Sequence, residues 1–261
     1  MVVDGLDGSG KSTQLEQLSE RLKNTDRPFR RISFPDYDSP SSALVRMYLR
    51  GDFGGAPGEV NAYASSSFYA VDRFASYKTG WERDYRAGAL ILAARYTTSN
   101  AIHQMPKLPK DQWDGYLRWM EHYEYDLLGL PRPDLTVFLD MPPEVAEQLI
   151  LARYQGDPAK KDIHERDAAY LRSCREAALH AAERLNWIVI KCAENNRPLP
   201  PEQITEQIFA ICNFQLMIRG PFSCFSPVLI STSPPLTTRS RRCRRCGGTT
   251  TGSATFPLST H

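Results

Sequence analysis

The stretch Gly5-Leu6-Asp7-Gly8-Ser9-Gly10-Lys11-Ser12-Thr13 matches G-x-x-x-x-G-K-[ST], the pattern of a phosphate-binding loop. Apolar residues precede it, and Leu15, Leu18 and Leu22 after it have the spacing of a helix that rests on a sheet. Glycines let such a loop turn sharply, so that successive backbone N–H groups and the helix N-terminus face phosphate oxygens. The alternative is an incidental glycine-rich turn, which would rarely fall between a strand and an amphipathic helix.

The loop predicts a first set of site residues. Lys11 is expected to reach the β- and γ-phosphates of a nucleotide, and Ser12 is expected to hold Mg²⁺. The other expected phosphate contacts come from Gly5, Asp7, Gly8, Ser9, Gly10 and Thr13.

The composition is typical of a globular protein with an acidic body. The chain has 261 residues, of which 41% are hydrophobic and 24% charged, enough for one sizeable α/β domain or two small ones. Residues 213–261 contain six Arg and no other charged residue, which leaves 26 basic and 30 acidic residues, a net charge of −4, in 1–212. This balance argues against nucleic-acid binding.

Two features indicate a cytoplasmic protein. The longest apolar run, 89–94, is too short to span a bilayer, and the N-terminus lacks a charged segment followed by an apolar one, so we expect no membrane association. The six cysteines are scattered, which favours reduced thiols over a disulfide framework. Cys243 and Cys246 could supply half of a zinc site, but no second pair lies nearby to complete it.

Amphipathic helix patterns separate five short apolar segments along the first 212 residues. These segments, the predicted strands, are 1–3, 31–34, 89–94, 135–139 and 187–190. Such alternation is typical of an α/β fold with a parallel sheet covered on both faces, which binds ligands at the carboxyl ends of its strands. Arg95 and Asp140 follow two of these strands, so we expect them at the same edge as the loop.

Two segments are expected to lie outside the layered fold. Residues 153–166 are polar and charged, which predicts a mobile lid. From residue 213 the periodicity stops and Ser, Thr, Pro, Arg and Cys dominate. We therefore expect one folded domain over 1–212, and a disordered tail or artefactual extension over 213–261.

Three motifs occur together in this chain: the loop Gly5–Thr13, the segment Phe68-Tyr69-Ala70-Val71-Asp72-Arg73, and the segment Arg95-Tyr96-Thr97-Thr98-Ser99-Asn100-Ala101-Ile102-His103-Gln104. In combination they resemble the thymidylate kinases, enzymes that transfer a phosphoryl group from ATP to dTMP and form dTDP. The resemblance covers roughly residues 1–212. It implies a three-layer P-loop kinase fold with a five-stranded parallel sheet, helices on both faces and a small lid, with ATP and Mg²⁺ as cofactors and a homodimer as the assembly.

The resemblance also implies an acceptor site. In it, Tyr69 stacks on the pyrimidine, Arg73 bonds the carbonyl edge of the base, and Arg95 holds the monophosphate through its planar fork. Asp7 approaches the 3′-hydroxyl of the deoxyribose. The rest of the implied substrate-binding set is Ser99, Asn100 and Gln104.

Each of these positions has a structural alternative. Tyr69 could belong to the core, and Arg73 could be a surface ion-pair partner of Asp72. Arg95 could form a structural ion pair at the sheet edge. Asp7 could merely cap the turn.

The chain departs from the family pattern at three positions. Ala94 replaces an aspartate expected near Mg²⁺, Tyr37 stands where many members have an arginine, and Gly8 stands where some members place a basic residue. Members with glycine at this loop position usually supply lid cations instead. The lid candidates are Arg153, Arg166, Lys160 and Lys161.

Catalysis would then rest on positioning and charge neutralisation. Lys11, Mg²⁺ and a lid cation, Arg153 or Arg166, would act on the donor phosphates, and Arg95 on the acceptor. Two other functions stay open: a kinase for another deoxynucleotide or a deoxynucleoside, and a nucleotide-binding protein whose activity is impaired because Ala94 replaces the aspartate.

Overall fold

The computed structural model describes the backbone of residues 1–153 and 168–219, and the side chains of 1–152 and 169–212. Most of the predicted lid and of the predicted tail therefore lies outside the described residues. The side chains concerned include Arg153, Lys160, Lys161, Arg166, Cys243 and Cys246.

Five parallel strands form the central sheet, as the sequence predicts, and each lies within two residues of its predicted bounds. They are β1 (Val2–Gly5), β2 (Phe29–Ser33), β3 (Leu90–Ala94), β4 (Thr136–Asp140) and β5 (Ile188–Lys191), in the order β2-β3-β1-β4-β5. Val3 pairs with Ala94 of β3 and with Val137 of β4. The loop after β1 therefore lies beside the carboxyl end of β3, where parallel α/β sheets bind ligands.

The described helices are α1 (Lys11–Lys23), α2 (Ala43–Arg50), α3 (Ala62–Ser76), α4 (Glu82–Arg86), α5 (Thr98–His103), α6 (Trp113–Glu121), α7 (Pro143–Arg153), α8 (Ala168–Arg184) and α9 (Pro201–Arg219). They cover both faces of the sheet. Leu139 and Ile190 belong to a buried cluster with residues of α1, α7 and α9. Phe138 points to the opposite face, as alternation along a strand requires, and packs with residues of α5, α6 and α8.

A π-turn at Tyr77–Trp81 separates α3 from α4. The region 97–127 contains, besides α5 and α6, 3₁₀ turns at Met105–Lys107 and Lys110–Gln112 and a second π-turn at His122–Leu127. Hydrophobic periodicity locates a helical segment but does not reveal a local change from i+4 to i+5 hydrogen bonding.

Two further differences concern the end of the sheet. A short hairpin, β6 (Ala193–Glu194) and β7 (Arg197–Pro198), was not predicted; its turn residues Asn195 and Asn196 have φ of 50° and 59°, the conformation that tight hairpin turns require. In addition, α9 continues to Arg219, past residue 212, where the sequence analysis placed the end of the folded domain. The sequence explains this extension, because helix-forming residues continue to Arg219 and the first helix-terminating pair is Gly220-Pro221.

Candidate active site

The phosphate-binding loop leaves β1 at Gly5 and enters α1 at Lys11. Gly8 and Gly10 have φ of 77° and 89°, where residues with a Cβ are rarely found. At Gly5, a Cβ would lie 2.8 Å from the carbonyl oxygen of Leu139 in the neighbouring strand. The shape of this turn therefore requires the glycines that the motif specifies.

A cavity of about 140 Å³, the phosphate pocket, opens in front of the loop. Its lining residues are Asp7, Gly8, Gly10, Lys11, Ser12 and Thr13 from the loop and α1, with Ser33, Ala94 and Arg95 from the ends of β2 and β3. Gly5 and Ser9, which were also predicted to contact phosphate, are not among the residues that line this pocket. The Gly5 carbonyl accepts a hydrogen bond of 2.9 Å from Lys11 Nζ, and the buried Ser9 hydroxyl makes no hydrogen bond to the described residues.

Lys11 is buried against its own loop. Its Nζ donates to the carbonyl oxygens of Gly5 at 2.9 Å and Leu6 at 2.7 Å. These contacts keep the ammonium group at the wall of the phosphate pocket, where its charge can act on phosphate oxygens.

A second cavity of about 230 Å³, the acceptor pocket, adjoins the first. It brings together every residue assigned above to the acceptor: Asp7, Tyr69, Arg73, Arg95, Ser99, Asn100 and Gln104. Its other lining residues include Phe34, Pro35, Tyr37, Leu49 and His103. The two cavities share Asp7, Ser33 and Arg95.

Arg95 stands at this shared wall. It follows β3 with φ of 63°, an uncommon conformation for a side chain of its size. Its guanidinium donates to Asp7 Oδ1, lies 3.9 Å from Asp4 Oδ1, and has His103 Nε2 at 3.0 Å. Burial alone would lower the pKa of Arg95, but the carboxylates of Asp7 and Asp4 outweigh it and raise the pKa above its ordinary value. The site thus holds a permanent cation with a planar donor fork.

Arg73 is held by a carboxylate from a distant part of the chain. Its Nε and Nη2 donate to the two carboxylate oxygens of Glu124, both at 2.7 Å, and Nη1 donates to the Tyr96 carbonyl at 3.2 Å. The side chains of Arg73 and Glu124 are each 1% exposed. The carboxylate of Glu124 raises the pKa of Arg73, against the lowering effect of burial. Glu124 Oε1 also accepts from Asn100 Nδ2 at 2.7 Å, so one buried anion orients two pocket residues.

The alternative in which Arg73 pairs with Asp72 at the surface is wrong. Asp72 instead accepts from the backbone N–H of Asp36 at 2.9 Å and from the Ser41 hydroxyl at 2.6 Å. Adjacent helical residues point in different directions, which separates the two side chains. Sequence reasoning also missed Glu124; its signal is a carboxylate on a helical segment whose neighbours are mainly aromatic and apolar.

Tyr69 lines the acceptor pocket and is partly exposed, rather than being a buried core residue. Its ring lies edge-on to Tyr48, with ring centroids 6.3 Å apart. Tyr37, at the position of a family arginine, also lines this pocket and is 53% exposed.

Ala94, which replaces the aspartate of the family pattern, leaves a methyl group at the wall of the phosphate pocket. A different carboxylate, Asp4, is fully buried beside Arg95 and was missed by the sequence reasoning. Its oxygens accept from the Gly5 N–H at 2.8 Å, the Thr98 hydroxyl at 2.5 Å and the Ser99 hydroxyl at 2.8 Å. Asp4 therefore ties the loop to the N-terminus of α5.

Asp140, expected at the same edge, is bound by Arg175 of α8. The guanidinium donates to both carboxylate oxygens, at 2.6 and 2.9 Å. This pairing gives Asp140 a structural partner between β4 and α8.

Within residues 1–153 and 168–219, no group of three or more His, Cys, Asp or Glu side chains could hold a metal ion. The phosphate pocket does present the Ser12 and Thr13 hydroxyls and the Asp7 carboxylate. Oxygen donors of this kind suit Mg²⁺ that is shared with nucleotide phosphates and water. The donor set therefore fits Mg²⁺ bound with a nucleotide.

A glycine-rich loop lies between a central strand and a helix, next to a second pocket that contains the buried Arg73 and shares the partly buried Arg95. This combination defines a P-loop nucleotide kinase. Comparison with known proteins gives the family. The family model described as thymidylate kinase matches residues 3–204. The chain belongs to the thymidylate kinase family, and it is therefore a phosphotransferase that forms dTDP from dTMP and ATP.

Individual relatives agree with this assignment. The chain is 31% identical over 172 residues to a thymidylate kinase of Mycobacterium tuberculosis, an alignment that covers 64% of this chain and 78% of the relative. It is 32% identical over 158 residues to a thymidylate kinase of Caenorhabditis elegans, covering 57% and 65%. A solved thymidylate kinase structure from Candida albicans has the same fold, with a TM-score of 0.58, 21% identity, and coverage of 82% and 90%.

Among the described residues, no helix combines the length and the apolar character needed to cross a membrane.

Proposed function

We propose that the phosphate pocket binds the phosphates of ATP, that the acceptor pocket binds dTMP, and that the γ-phosphoryl group passes directly between them. The observation that carries this proposal is the common wall of the two cavities, formed by Asp7, Ser33 and Arg95. Substrates bound on either side would meet there, and direct transfer requires little more than positioning and neutralisation of charge.

Arg95 is the proposed ligand of the acceptor phosphate. Its guanidinium faces both cavities, and the anions around it keep it charged. Its guanidinium donates to Asp7, so a bound phosphate would share or replace that partner. Asp7 would then be available to accept from a sugar hydroxyl, the role implied by the family resemblance.

The base is proposed to bind at the opposite end of the acceptor pocket. Tyr69 supplies an aromatic face for stacking. Arg73 and Asn100 are fixed by Glu124, which limits the directions in which their remaining N–H groups can donate. Ser99 and Gln104 complete the polar lining. A planar pyrimidine with carbonyl groups on its edge matches this arrangement.

Lys11 and Ser12 are proposed to act on the donor side. Lys11 carries positive charge at the wall of the phosphate pocket, and the Ser12 hydroxyl is an oxygen ligand suited to Mg²⁺. When bound, Mg²⁺ supplies charge neutralisation on the phosphate oxygens. Arg153 and Arg166 remain the proposed lid cations, on the sequence pattern alone.

An exposed apolar face supports the proposal of a homodimer. Tyr63, Val71 and Phe74 share one side of α3 and are 40%, 41% and 38% exposed. Such a stripe is typical of a protein–protein interface.

We also propose a cytoplasmic location, because Cys174, Cys192 and Cys212 are free thiols that suit a reducing compartment. The catalytic domain is proposed to comprise 1–212, with α9 continuing beyond it.

The proposed function is tested by coupled measurement of ADP formation with dTMP, dUMP, dGMP or thymidine as acceptor. We expect dTMP to give the highest kcat/KM. Replacing Tyr69 by Ala should raise the KM for dTMP by about 5- to 150-fold, because stacking on a base contributes about 1–3 kcal/mol. Tyr69→Phe is the matched control, since it keeps the ring.

Two results would contradict the proposal. Failure of every acceptor to stimulate ADP formation would contradict phosphoryl transfer between the two pockets. If Tyr69→Ala and Tyr69→Phe had the same KM for dTMP, the base would not bind at this end of the pocket.

A further inference from the structure

Lys107 is a partly buried lysine that the proposed mechanism does not use. It ends the 3₁₀ turn that follows α5, and its Nζ makes three hydrogen bonds. These go to the Tyr48 hydroxyl at 2.9 Å, the Val60 carbonyl at 3.0 Å and the Ser65 hydroxyl at 2.9 Å. No carboxylate among the described residues lies within ion-pair distance of this amine. A lysine in such surroundings costs stability, so its presence requires another explanation.

One of these hydrogen bonds leads to the acceptor pocket. The Ser65 hydroxyl accepts from Lys107, and the shortest contact for its own proton is Gln104 Oε1 at 2.8 Å, with the Asn61 carbonyl at 2.9 Å and the Ala62 carbonyl at 3.3 Å as the competing acceptors. Gln104 is 1% exposed and lines the acceptor pocket, and its Nε2 has no hydrogen-bond partner among the described residues. An unpaired buried amide donor is costly unless a ligand satisfies it. Gln104 therefore presents an N–H donor for an oxygen atom of the acceptor.

A second contact leads to the same pocket. Tyr48 accepts from Lys107, has the Lys107 ammonium 4.8 Å from its ring centroid, and packs edge-on against Tyr69. Lys107 thus supports the proposed stacking residue as well as the amide of Gln104.

We propose that Lys107 is a positioning residue of the acceptor pocket: its ammonium group, through Ser65, holds the Gln104 amide with its N–H₂ toward the bound nucleoside monophosphate. This inference rests on the proposed function of that pocket. A charged lysine has three protons and satisfies three acceptors at once. After loss of one proton, the Tyr48 or Ser65 hydroxyl must reverse and donate to Nζ. The direction of the hydrogen bonds from Lys107 through Ser65 to Gln104, the relay, is then no longer fixed.

The charge on Lys107 can change in the physiological range. Burial lowers the pKa of Lys107 to about 7, and Cys174 of α8 acts weakly in the opposite direction. Among the described residues, the other titratable group that contacts the amine is Tyr48 of α2, and Val60 and Ser65 contribute neutral groups. We therefore expect the relay to be intact below about pH 7 and weakened above it.

The test measures steady-state KM for dTMP and for ATP, with kcat, at pH 6.5 and pH 8.5. The variants are Lys107→Met, Lys107→Arg and Gln104→Ala, with Lys110→Met as the matched control because Lys110 is exposed and pairs with Glu176. Lys107→Met should raise the KM for dTMP about tenfold at pH 6.5, the effect of losing roughly one charge-assisted hydrogen bond. The KM for ATP and kcat should change less than about twofold.

Three further results are expected. The wild-type KM for dTMP should rise between pH 6.5 and 8.5 relative to Lys107→Met, in which this titration is absent; ionisation of dTMP itself is common to all variants. Lys107→Arg, which stays charged, should also lack this rise. Lys107→Met combined with Gln104→Ala should raise the KM for dTMP by less than the product of the two single effects, because both substitutions act on the Gln104 contact.

The inference is overturned if the two substitutions raise KM additively, if Lys107→Met and Lys110→Met behave alike, or if the wild type lacks the pH-dependent rise. If Lys107→Met does not fold, Ser65→Ala and the wild-type pH profile test the same relay. A wild-type chain that fails to phosphorylate dTMP contradicts the proposed function instead. In that case, calorimetric measurement of dTMP binding to the wild type and to Lys107→Met decides whether Lys107 affects the pocket.

Discussion

Replacing Glu124 by Gln should cause a large loss of both stability and dTMP affinity. The substitution preserves shape but removes the charge that faces Arg73 through two hydrogen bonds of 2.7 Å, in a pair whose side chains are each 1% exposed. Breaking a buried ion pair from one side typically costs about 3–5 kcal/mol, because the remaining charge stays buried without its partner. For a domain of this size, that corresponds to a fall in Tm of about 6–20 °C.

The assay is thermal unfolding followed by circular dichroism, together with the KM for dTMP. Glu121→Gln is the matched control: Glu121 pairs with Arg132 at 2.9 Å, but the side chains are 32% and 52% exposed, so the expected loss is about 1 kcal/mol or less. A Tm for Glu124→Gln within about 2 °C of the control would refute the reasoning.

A double variant separates stability from recognition. Arg73→Met with Glu124→Leu removes both buried charges, and such replacements are often neutral or stabilising. We expect it to regain much of the Tm lost in Glu124→Gln while the KM for dTMP remains high, since Arg73 and the anchor of Asn100 are both gone. Recovery of dTMP affinity as well would show that this network is structural.

Three other predictions concern the phosphate pocket and the C-terminus. Lys11→Ala should abolish transfer and leave the circular dichroism spectrum unchanged, because it removes a charge from the pocket wall; full activity in this variant would exclude the loop assignment. Ala94→Asp should raise kcat at least about tenfold with little change in KM, since it places a carboxylate at the wall of the phosphate pocket. Equal kcat values in steady-state kinetics would make position 94 irrelevant, and Asp7, which lines that pocket as Asp140 does not, would be the better candidate for organising the metal. A chain that stops after Arg219, where α9 ends, should keep its activity and its Tm within about 2 °C, and a large loss of either would assign a structural role to the remainder.

The sequence predicts those parts of the molecule whose chemistry is local. The glycines of the loop, Lys11 and the arginine after β3 lie within short motifs, and their positions follow from strand ends that share one edge of the sheet. The five strands could be predicted for the same reason, because each is a short apolar segment between helices.

The contacts that could not be predicted join residues that lie far apart in the sequence. Arg73 and Glu124 are separated by 51 residues, and Lys107 reaches Ser65 over 42 residues. A single sequence contains no signal that pairs such positions, so the nearest acid, Asp72, was the partner that local reasoning offered. Asp4 was overlooked because a charged residue in a buried strand makes sense only once the hydroxyls of Thr98 and Ser99 are placed beside it.

The most direct test of the central claim follows the phosphoryl group itself. The chain is incubated with ATP labelled at the γ-phosphate and with dTMP in the presence of Mg²⁺, and the products are separated by chromatography. Direct transfer between the adjoining pockets predicts that the label appears in dTDP, in proportion to the ADP formed, and that Lys11→Ala yields none. Label that appears as inorganic phosphate whether or not dTMP is present, with none in dTDP, would contradict the account.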